Sequence, residues 1–326
     1  MEIQNLMRQN EIQSQKGGKM MRQVTQQQVN RWLSGSLDFM WLEIAKKCNL
    51  RCIHCYASSS LHLPLFGKMS KEDRERVLDE GIQLGCRRVQ FIGGEPTLRP
   101  HLFELIQHAK DVGYEFIEVF TNGTILNDQR LHRIKKLGVH LAFSLYANSP
   151  DIHEKITQSN GSFYRTLGNI KKAVGMGIPV RVGVIVINGI NDHVVANTLS
   201  MLQEIGVQNV KTDRVRGIGQ GAELNPNQDS FAELCGECWK GNIRIDADGK
   251  ASPCVMSWFY EVGEVSQTRG LADVVSSSRL ADFRKKMADI NLSSNQPLNC
   301  NPPCPVLCGP DEGCDPCVPI CDPCQP

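Results

Sequence analysis

The sequence predicts an α/β fold in which a parallel sheet curls into a partial (β/α)6 barrel and a small cysteine-rich domain follows. Three observations support this prediction. Short β-rich runs alternate six times with segments long enough to be crossover helices. The 326 residues suffice for one large domain and a smaller appendage. After Gln220 the alternation stops, and the chain ends in a stretch rich in cysteine and proline.

The predicted elements follow one another from residue 39 onward. The strands are expected at 39–45, 87–93, 115–122, 140–146, 179–187 and 209–215, and the helices at 70–85, 101–113, 127–137, 163–175 and 193–205. Ser70 is the expected N-cap of the first of these helices, and Gly85 lies at its end. Repeated βα units of this kind predict a TIM-like partial barrel with its chemistry at the carboxyl ends of the strands.

The regions on either side of the barrel have different compositions. Residues 1–37 are Gln-rich and polar, with one short helix as an option around Val24–Leu33. Residues 244–256 have the pattern of a β-hairpin with its turn at 247–249. We therefore divide the chain into an N-terminal extension (1–37), a barrel (38–230) and a cysteine-rich domain (231–326), with the last boundary near 225–233.

Composition excludes several classes of protein. Thirty-six Lys and Arg nearly balance 35 Asp and Glu, so the charge favours neither a nucleic acid nor an anionic membrane as partner. The apolar runs are too short to span a bilayer, and the N-terminus lacks the apolar core of a secretion signal. We expect a cytosolic protein. Because the cytosol keeps thiols reduced, its 14 cysteines, most of them clustered, predict bound metal rather than disulfides.

Cys48, Cys52 and Cys55 supply three thiolates from one short loop after the first strand. Three ligands leave one iron of a [4Fe–4S] cluster open to a small molecule, although the spacing alone also permits zinc. The sequence Gly93-Gly94-Glu95-Pro96 follows the second strand, and Thr121-Asn122-Gly123 caps the third. Glycines at such positions let backbone groups approach a ligand closely. The three motifs are expected to meet on one rim of the barrel.

The segment CNLRCIHCYA resembles the signature of the radical S-adenosylmethionine (SAM) superfamily, and GGEP resembles its motif for the SAM amino group. The resemblance spans residues 38 to about 215. It implies that the three thiolates hold the catalytic [4Fe–4S] cluster and that SAM chelates the open iron through its amino and carboxylate groups. One electron then cleaves SAM to methionine and a 5′-deoxyadenosyl radical, which abstracts a substrate hydrogen.

The resemblance also implies contacts between the chain and SAM. The residues that match the family's contacts are Gly93, Gly94, Glu95 and, in AFSLYAN, Ser144. Arg181, at an inward position of the fifth strand, is expected to reach the SAM carboxylate or the adenine edge. For Ser144 and Arg181 the alternative is an ordinary polar residue of the barrel interior. Within the same region we expect His54 to be a packing residue and Cys86 a buried apolar thiol.

The pattern Cys238-x10-Gly249-x4-Cys254 resembles the opening of the SPASM domain, an extension of radical SAM enzymes that carries auxiliary [4Fe–4S] clusters. Ten cysteines remain after the triplet and Cys86, and two clusters need eight, so two auxiliary clusters are expected. The tail departs from the usual SPASM spacing, and one cluster, zinc or disulfides are the alternatives. The expected auxiliary ligands are Cys235, Cys238, Cys254, Cys304, Cys308, Cys314, Cys317, Cys321 and Cys324.

The resemblance leaves three hypotheses for function. SPASM-type enzymes most often resemble peptide maturases, so the first is crosslinking, oxidation or epimerisation of a ribosomally made peptide. Because the segment before the barrel is short for a winged-helix recognition domain, leader-peptide binding is expected to need a separate recognition protein or another surface of the chain. A flavodoxin- or ferredoxin-type electron donor is also expected. The second hypothesis is oxidation of a small molecule such as an aminocyclitol or sugar alcohol. The third is a non-catalytic zinc or iron–sulfur protein.

Overall fold

The computed structural model of the protein describes residues 26–226 and 230–293, in which nine strands form one sheet. The strand order is β6-β5-β4-β3-β2-β1-β7-β8-β9, and β1 to β6 run parallel. The strands are β1 (Phe39–Ala45), β2 (Arg88–Gly93), β3 (Phe116–Thr121), β4 (His140–Ser144), β5 (Val180–Val186), β6 (Asn209–Arg214), β7 (Asn242–Ile245), β8 (Lys250–Ser252) and β9 (Gly263–Glu264). The predicted parallel sheet is confirmed.

Helices connect the parallel strands, as the alternating sequence pattern predicted. They are α1 (Gln26–Leu33), α2 (Lys71–Gln83), α3 (Leu102–Asp111), α4 (Asp128–Leu137), α5 (Pro150–Thr157), α6 (Ser162–Gly175), α7 (Val195–Glu204), α8 (Gly221–Leu224), α9 (Leu271–Val275) and α10 (Ser278–Ser293). One apolar core joins helix residues such as Val77 and Ile134 to strand residues such as Val119. The chain therefore forms the partial (β/α)6 barrel that the sequence predicted. None of the described helices is long and apolar enough to cross a membrane.

Side-chain caps determine where two of the helices begin. The Ser70 hydroxyl accepts a hydrogen bond from the Asp73 backbone N–H (3.1 Å), and the Asp73 carboxylate accepts one from the Ser70 N–H (3.0 Å). This reciprocal arrangement satisfies two N–H groups that would otherwise lack partners in the first turn. The Asn127 side chain caps α4 from one side only, by accepting from the Arg130 N–H at 2.9 Å. The predicted start of α2 is confirmed, with Ser70 as its N-cap.

Four helices were missing from the sequence prediction, namely the short α8 and α9 and the longer α5 and α10. The helix α5 (Pro150–Thr157) has only eight residues and begins with a proline, a favourable first position that the pattern analysis overlooked. The helix α10 (Ser278–Ser293) buries Leu280, Phe283 and Met287. These three residues recur at helical spacing, so the sequence contained a signal for this helix.

The predicted hairpin is present and extends the barrel sheet. Strands β7 and β8 pair antiparallel around a turn in which Gly249 has a φ of +95°. Strand β7 also pairs in parallel with β1, with Phe39 opposite Asn242 and Leu42 opposite Ile245. The barrel and the hairpin thus share one sheet across the boundary proposed near 225–233. The division of the chain into three domains stays a prediction.

Replacing Ser70 by Ala removes the side-chain half of the α2 cap and should lower the free energy of unfolding by about 1 kcal/mol. Denaturant titration followed by circular dichroism would measure the loss. Gln129→Ala, at an exposed position of α4, is the matched control and should leave stability nearly unchanged. Equal midpoints for Ser70→Ala and the unaltered protein would contradict the proposed cap.

Candidate active site

A cavity opens at the carboxyl ends of the six parallel strands, where the sequence placed the chemistry. The residues that line it are Cys48, Leu50, Cys52, His54, Cys55, Tyr56, Ala57, Gly93, Gly94, Phe120, Thr121, Asn122, Ser144, Tyr146, Ile185, Asp213, Arg214, Val215, Arg216 and Met256. The three predicted thiol ligands therefore share one cavity with both glycines of GGEP and with Ser144. Met256 brings the segment after the hairpin to the same wall. Glu95 and Arg181 lie outside this lining.

The loop that carries the three thiols is held by backbone hydrogen bonds on two sides. The N–H groups of Arg51 and Ile53 donate to carbonyls at the end of α5, at 3.1 and 3.0 Å. The Gln220 N–H donates to the carbonyl of Cys55 at 2.9 Å. A Cβ on Gly219 would lie 2.3 Å from the carbonyl oxygen of Tyr56, so only glycine permits this approach. The unpredicted helix α5 thus helps position the thiols.

The thiols are arranged so that they ionise only beside positive charge. Burial, the Glu95 carboxylate and Cys55 together raise the pKa of the Cys48 thiol to about 12. Burial raises the pKa of Cys52 well above its ordinary value, and the other two thiols raise it further. Burial also raises the pKa of Cys55. Three soft sulfur donors that repel one another as thiolates suit a site whose positive charge comes from bound iron.

The three thiols suit an iron–sulfur cluster with one open iron. Each of Cys48, Cys52 and Cys55 can bind a different iron of a [4Fe–4S] cluster, which leaves the fourth iron free for a small molecule.

The two glycines of GGEP pack against the backbone that leads from β1 to the first thiol. The Gly94 N–H donates to the Ala45 carbonyl at 2.8 Å, and the Glu95 N–H donates to the Lys47 carbonyl at 2.9 Å. A Cβ on Gly93 would lie 2.3 Å from the Ala45 oxygen, and one on Gly94 would lie 2.3 Å from the Lys47 oxygen. Both positions therefore require glycine for the chain's own packing. Their contact with SAM stays a prediction.

The Glu95 carboxylate ties the GGEP segment to the end of β3. It is fully buried and accepts hydrogen bonds from the Thr97 N–H at 2.9 Å, the Thr97 hydroxyl at 2.5 Å, the Thr121 hydroxyl at 2.7 Å and the Asn122 N–H at 2.8 Å. Four donors within the chain satisfy this carboxylate, so its described role is to join two strand ends. The predicted contact between Glu95 and SAM remains to be tested.

Arg181 occupies the barrel interior rather than the cavity wall. Its guanidinium donates to both carboxylate oxygens of Glu118, at 2.9 to 3.2 Å, and both side chains are nearly fully buried. Gln90 also donates to Glu118. The guanidinium lies 5.4 Å from the ring centre of Phe120, which lines the cavity. This placement favours the interior interpretation of Arg181, and its contact with SAM stays a prediction.

Asn122 is a site residue to which the sequence analysis assigned no role beyond its motif. Its side-chain N–H group donates to the Cys48 sulfur at 3.7 Å and to the Asn49 side chain at 2.9 Å. Its side-chain oxygen accepts from the Thr124 N–H and hydroxyl, at 2.9 and 2.7 Å. These bonds hold the Asn122 side-chain amide against the Cys48 sulfur. In the sequence, the signal for this residue was its place in the Thr121-Asn122-Gly123 segment at the end of β3.

Tyr146 and two histidines form an aromatic group beside the thiols. The His54 ring lies 4.6 Å from the Tyr146 ring, and the His153 ring stacks on its other side at 5.4 Å. Burial lowers the pKa of each histidine to about 4, so both are neutral at physiological pH. This arrangement agrees with the packing role expected for His54. Cys86 is likewise fully buried, at the start of β2, as predicted.

Two ion pairs border the cavity at the end of β6, a region in which the sequence analysis identified no motif. Arg216 donates to both carboxylate oxygens of Asp213 at 2.9 Å. Arg214 pairs at 2.8 Å with Glu233, whose side chain is almost fully buried. Arg216 also donates to the backbone carbonyl of Glu233. These bonds connect the barrel to the segment that leads to β7.

Three of the predicted auxiliary ligands lie together. The sulfur atoms of Cys238 and Cys254 are 2.9 Å apart, and both residues belong with Cys235 to one buried apolar group that includes Met256. The other six, Cys304, Cys308, Cys314, Cys317, Cys321 and Cys324, lie outside the described residues.

The aromatic residues after the hairpin differ in burial. Phe259 and Tyr260 pack on Phe231, whereas Trp258 is 44% exposed.

Comparison with known proteins gives two family matches. The radical SAM superfamily model matches residues 42–202, and the model of an iron–sulfur cluster-binding domain, SPASM, matches residues 235–305.

Individual relatives match part of the chain. A GTP 3′,8-cyclase of Petrotoga mobilis is 29% identical over 170 residues, which are 51% of this chain and 52% of that protein. A probable GTP 3′,8-cyclase of Saccharolobus solfataricus is 30% identical over 200 residues (61% and 63%). An AdoMet-dependent heme synthase of Methanosarcina barkeri is 27% identical over 165 residues (50% and 46%). The matches thus span about half to under two thirds of these relatives.

Solved structures share the fold at low sequence identity. Streptococcus suis SuiB bound to its precursor peptide SuiA has a TM-score of 0.63 at 14% identity, over 77% of this chain and 67% of SuiB. The protein named anSMEcpe, with bound AdoMet, has a TM-score of 0.61 at 16% identity, over 77% of this chain and 83% of that one. At these identities the likeness establishes the fold alone.

The glycine packing beside the thiol loop generates a prediction. Gly94→Ala should displace the backbone leading to Cys48, because its Cβ would meet the Lys47 carbonyl. We expect less iron and sulfide per chain after anaerobic reconstitution, and a lower melting temperature. Gly168→Ala is the matched control, since a Cβ there meets nothing within 4 Å inside α6. Iron content and melting temperature equal to those of the unaltered protein would refute the requirement for glycine at position 94.

The two family matches agree with the geometry of the site. The first covers the thiol loop, GGEP and the ends of β1 to β5, and the second begins at Cys235 and includes the buried pair Cys238 and Cys254. Such domains carry [4Fe–4S] clusters and use SAM, and the arrangement of the thiols fits that cofactor set. The chain belongs to the radical SAM superfamily and carries a SPASM domain.

Proposed function

We propose that this radical SAM enzyme abstracts a hydrogen atom from a ribosomally made peptide, which it then crosslinks, oxidises or epimerises. The bound [4Fe–4S] cluster and SAM supply the one-electron cleavage that produces the 5′-deoxyadenosyl radical. Residues of the chain hold these groups, orient the substrate and limit the access of water. Cys48, Cys52 and Cys55 would bind the cluster, with Gly93, Gly94 and Ser144 in the same cavity.

The observation that carries this proposal is the convergence of the thiol loop and the SPASM segment on one cavity. Met256 lines the cavity wall and lies two residues after Cys254. Cys235, Cys238 and Cys254 are packed in the same buried apolar group as Met256. A substrate in the cavity would therefore lie close to the expected auxiliary clusters. This proximity supports a reaction in which an auxiliary cluster accepts an electron from the substrate radical or positions the substrate.

The charge of the cavity supports a substrate without phosphate groups. Among the described residues, its cationic lining consists of Arg214 and Arg216, and each already pairs with a carboxylate. A triphosphate would need several cations with free donors to replace its hydration. The lining includes Leu50, Phe120, Ile185, Val215 and Met256. This largely neutral wall favours a peptide side chain over the nucleotide that the names of the curated relatives indicate.

The assignment of the thiol loop predicts the effect of removing one ligand. Cys52→Ala should reduce dithionite-driven formation of 5′-deoxyadenosine to background, because the cluster would lose one of its three protein ligands. Cys86→Ala is the matched control, since this buried thiol lies outside the cavity. Product would be measured by chromatography after anaerobic reconstitution. Full activity in Cys52→Ala would refute the ligand assignment. If the unaltered protein with assembled clusters formed no 5′-deoxyadenosine, the proposal that it is a radical SAM enzyme would be refuted.

The substrate class predicts a mass change in a peptide. Anaerobic turnover with short peptides encoded beside the gene should give a product two hydrogens lighter if it is crosslinked or oxidised. Epimerisation would leave the mass unchanged in ordinary water and add deuterium from heavy water. The same preparation should be offered GTP and an aminocyclitol in parallel. Conversion of either small molecule, with every peptide unchanged, would overturn the peptide assignment.

A further inference from the structure

Two neighbouring outer helices carry an excess of positive charge in a chain whose net charge is only +1. Helix α4 has four Lys and Arg residues against one Asp, and α6 has three against no acidic residue. By contrast α2, α3 and α7 each contain more acidic than basic residues. The basic face, as we call it, consists of Arg130, Arg133, Lys135, Lys136, Arg165, Lys171 and Lys172.

Little of this positive charge is neutralised locally. Within the described residues, the ion pairs of the basic face are limited to Lys172 with Asp128, at 2.6 Å, a bond that also joins α6 to α4. Lys135 and Lys171 are exposed. The acidic residues Glu104 and Asp111 border the face along its α3 side, near Arg133 and Lys136. On another side, the Glu154 carboxylate of α5 accepts from the Phe163 N–H in the first turn of α6, at 3.4 Å. A strong positive potential therefore remains over the two helices, available to attract an acidic partner.

Hydrogen bonds connect the two helices that carry the basic face to the loop beside the first thiol. The Thr166 hydroxyl of α6 donates to the Asn122 carbonyl at 2.7 Å, and the Asn122 side chain donates to the Cys48 sulfur at 3.7 Å. Asn169 of α6 donates to the carbonyl of Gly123 at 2.7 Å. From α4, Arg130 donates to the carbonyl of Ile125 at 3.1 Å. Both basic helices thus hold the loop 122–127, whose first residue, Asn122, contacts the Cys48 sulfur.

We propose that the basic face is the docking surface for an acidic one-electron donor protein of the flavodoxin or ferredoxin type, whose electron enters through Asn122. The inference rests on the proposed function, because each cleavage of SAM requires one electron. The donor loses that electron and the [4Fe–4S] cluster held at Cys48 gains it, and no proton is transferred. Opposite charge speeds the encounter of the two proteins. The hydrogen bonds of Asn122 connect helix α6, under the basic face, to the first thiol.

The test separates docking of the donor from the chemistry that follows. The variant Lys135→Glu with Lys171→Glu reverses two exposed charges of the basic face, neither of which lines the cavity. The control Arg269→Glu with Lys285→Glu makes the same change of charge at exposed positions beside β9 and in α10. Binding of oxidised acidic flavodoxin to each protein is measured by calorimetry, and it should be weaker for the basic-face variant than for the control. Formation of 5′-deoxyadenosine is then measured with the photoreduced flavodoxin as donor, and separately with dithionite.

With flavodoxin at low ionic strength, we expect the basic-face variant to form 5′-deoxyadenosine about tenfold or more slowly than the unaltered protein. This is a typical size for electrostatic steering. Added salt should slow the flavodoxin-driven reaction of the unaltered protein and reduce the difference in rate between the two proteins, because salt screens exposed charges. With dithionite, the variant should match the unaltered protein. The control variant should form 5′-deoxyadenosine as fast as the unaltered protein with both reductants.

Other outcomes would overturn the inference. Flavodoxin-driven rates that are unchanged in the basic-face variant, or equally reduced in the control, would show that the donor docks elsewhere. Binding of a single-stranded RNA probe that requires Lys135 and Lys171, with unchanged flavodoxin-driven cleavage, would assign the face to nucleic acid. Failure of the unaltered protein to form 5′-deoxyadenosine with dithionite would instead count against the proposed function, which this design keeps separate.

Discussion

The site depends on how the backbone at the end of β1 is held on both of its sides. On one side the Ala45 and Lys47 carbonyls accept hydrogen bonds from the GGEP segment, at 2.8 and 2.9 Å. On the other, the Lys46 side chain pairs at 2.6 Å with Asp248 in the turn of the hairpin. Cys48 follows immediately, so the first thiol is positioned by the barrel and the SPASM segment together. Because both glycines of GGEP lie in close contact with this backbone, a side chain there would displace the thiol loop.

From that point a continuous set of hydrogen bonds extends across the rim to the outer helices. The Glu95 carboxylate links GGEP to Thr121 and Asn122 at the end of β3. Asn122 then contacts both the Cys48 sulfur and Thr166 of α6. Buried carboxylate and amide groups with all their partners present are rigid, since breaking any one bond leaves a polar group unpaired. Such rigidity suits a site that has to hold a reactive radical in one place.

Charge is distributed differently inside and outside the barrel. In the interior, Arg181 pairs with Glu118, and at the rim Arg214 and Arg216 pair with acidic partners. The cavity therefore presents little net charge to a substrate. On the outer surface, α4 and α6 keep most of their positive charge exposed. With a neutral cavity and a basic exterior, the proposed substrate selection and the proposed docking of an electron donor would occur on separate surfaces.

The sequence by itself determined the alternating helices and strands, the thiol triplet, GGEP and the hairpin, because each depends on residues close together in the chain. It also indicated that these motifs share a rim, since parallel strands end on the same side. Only the tertiary structure decided the partners of polar groups that are distant in sequence. Arg181 pairs with a carboxylate 63 positions away, and Asn122 reaches a sulfur 74 positions away. Strand β7 joins the sheet beside β1 across some 200 residues. Such contacts follow from the packing of whole elements, which no local pattern records.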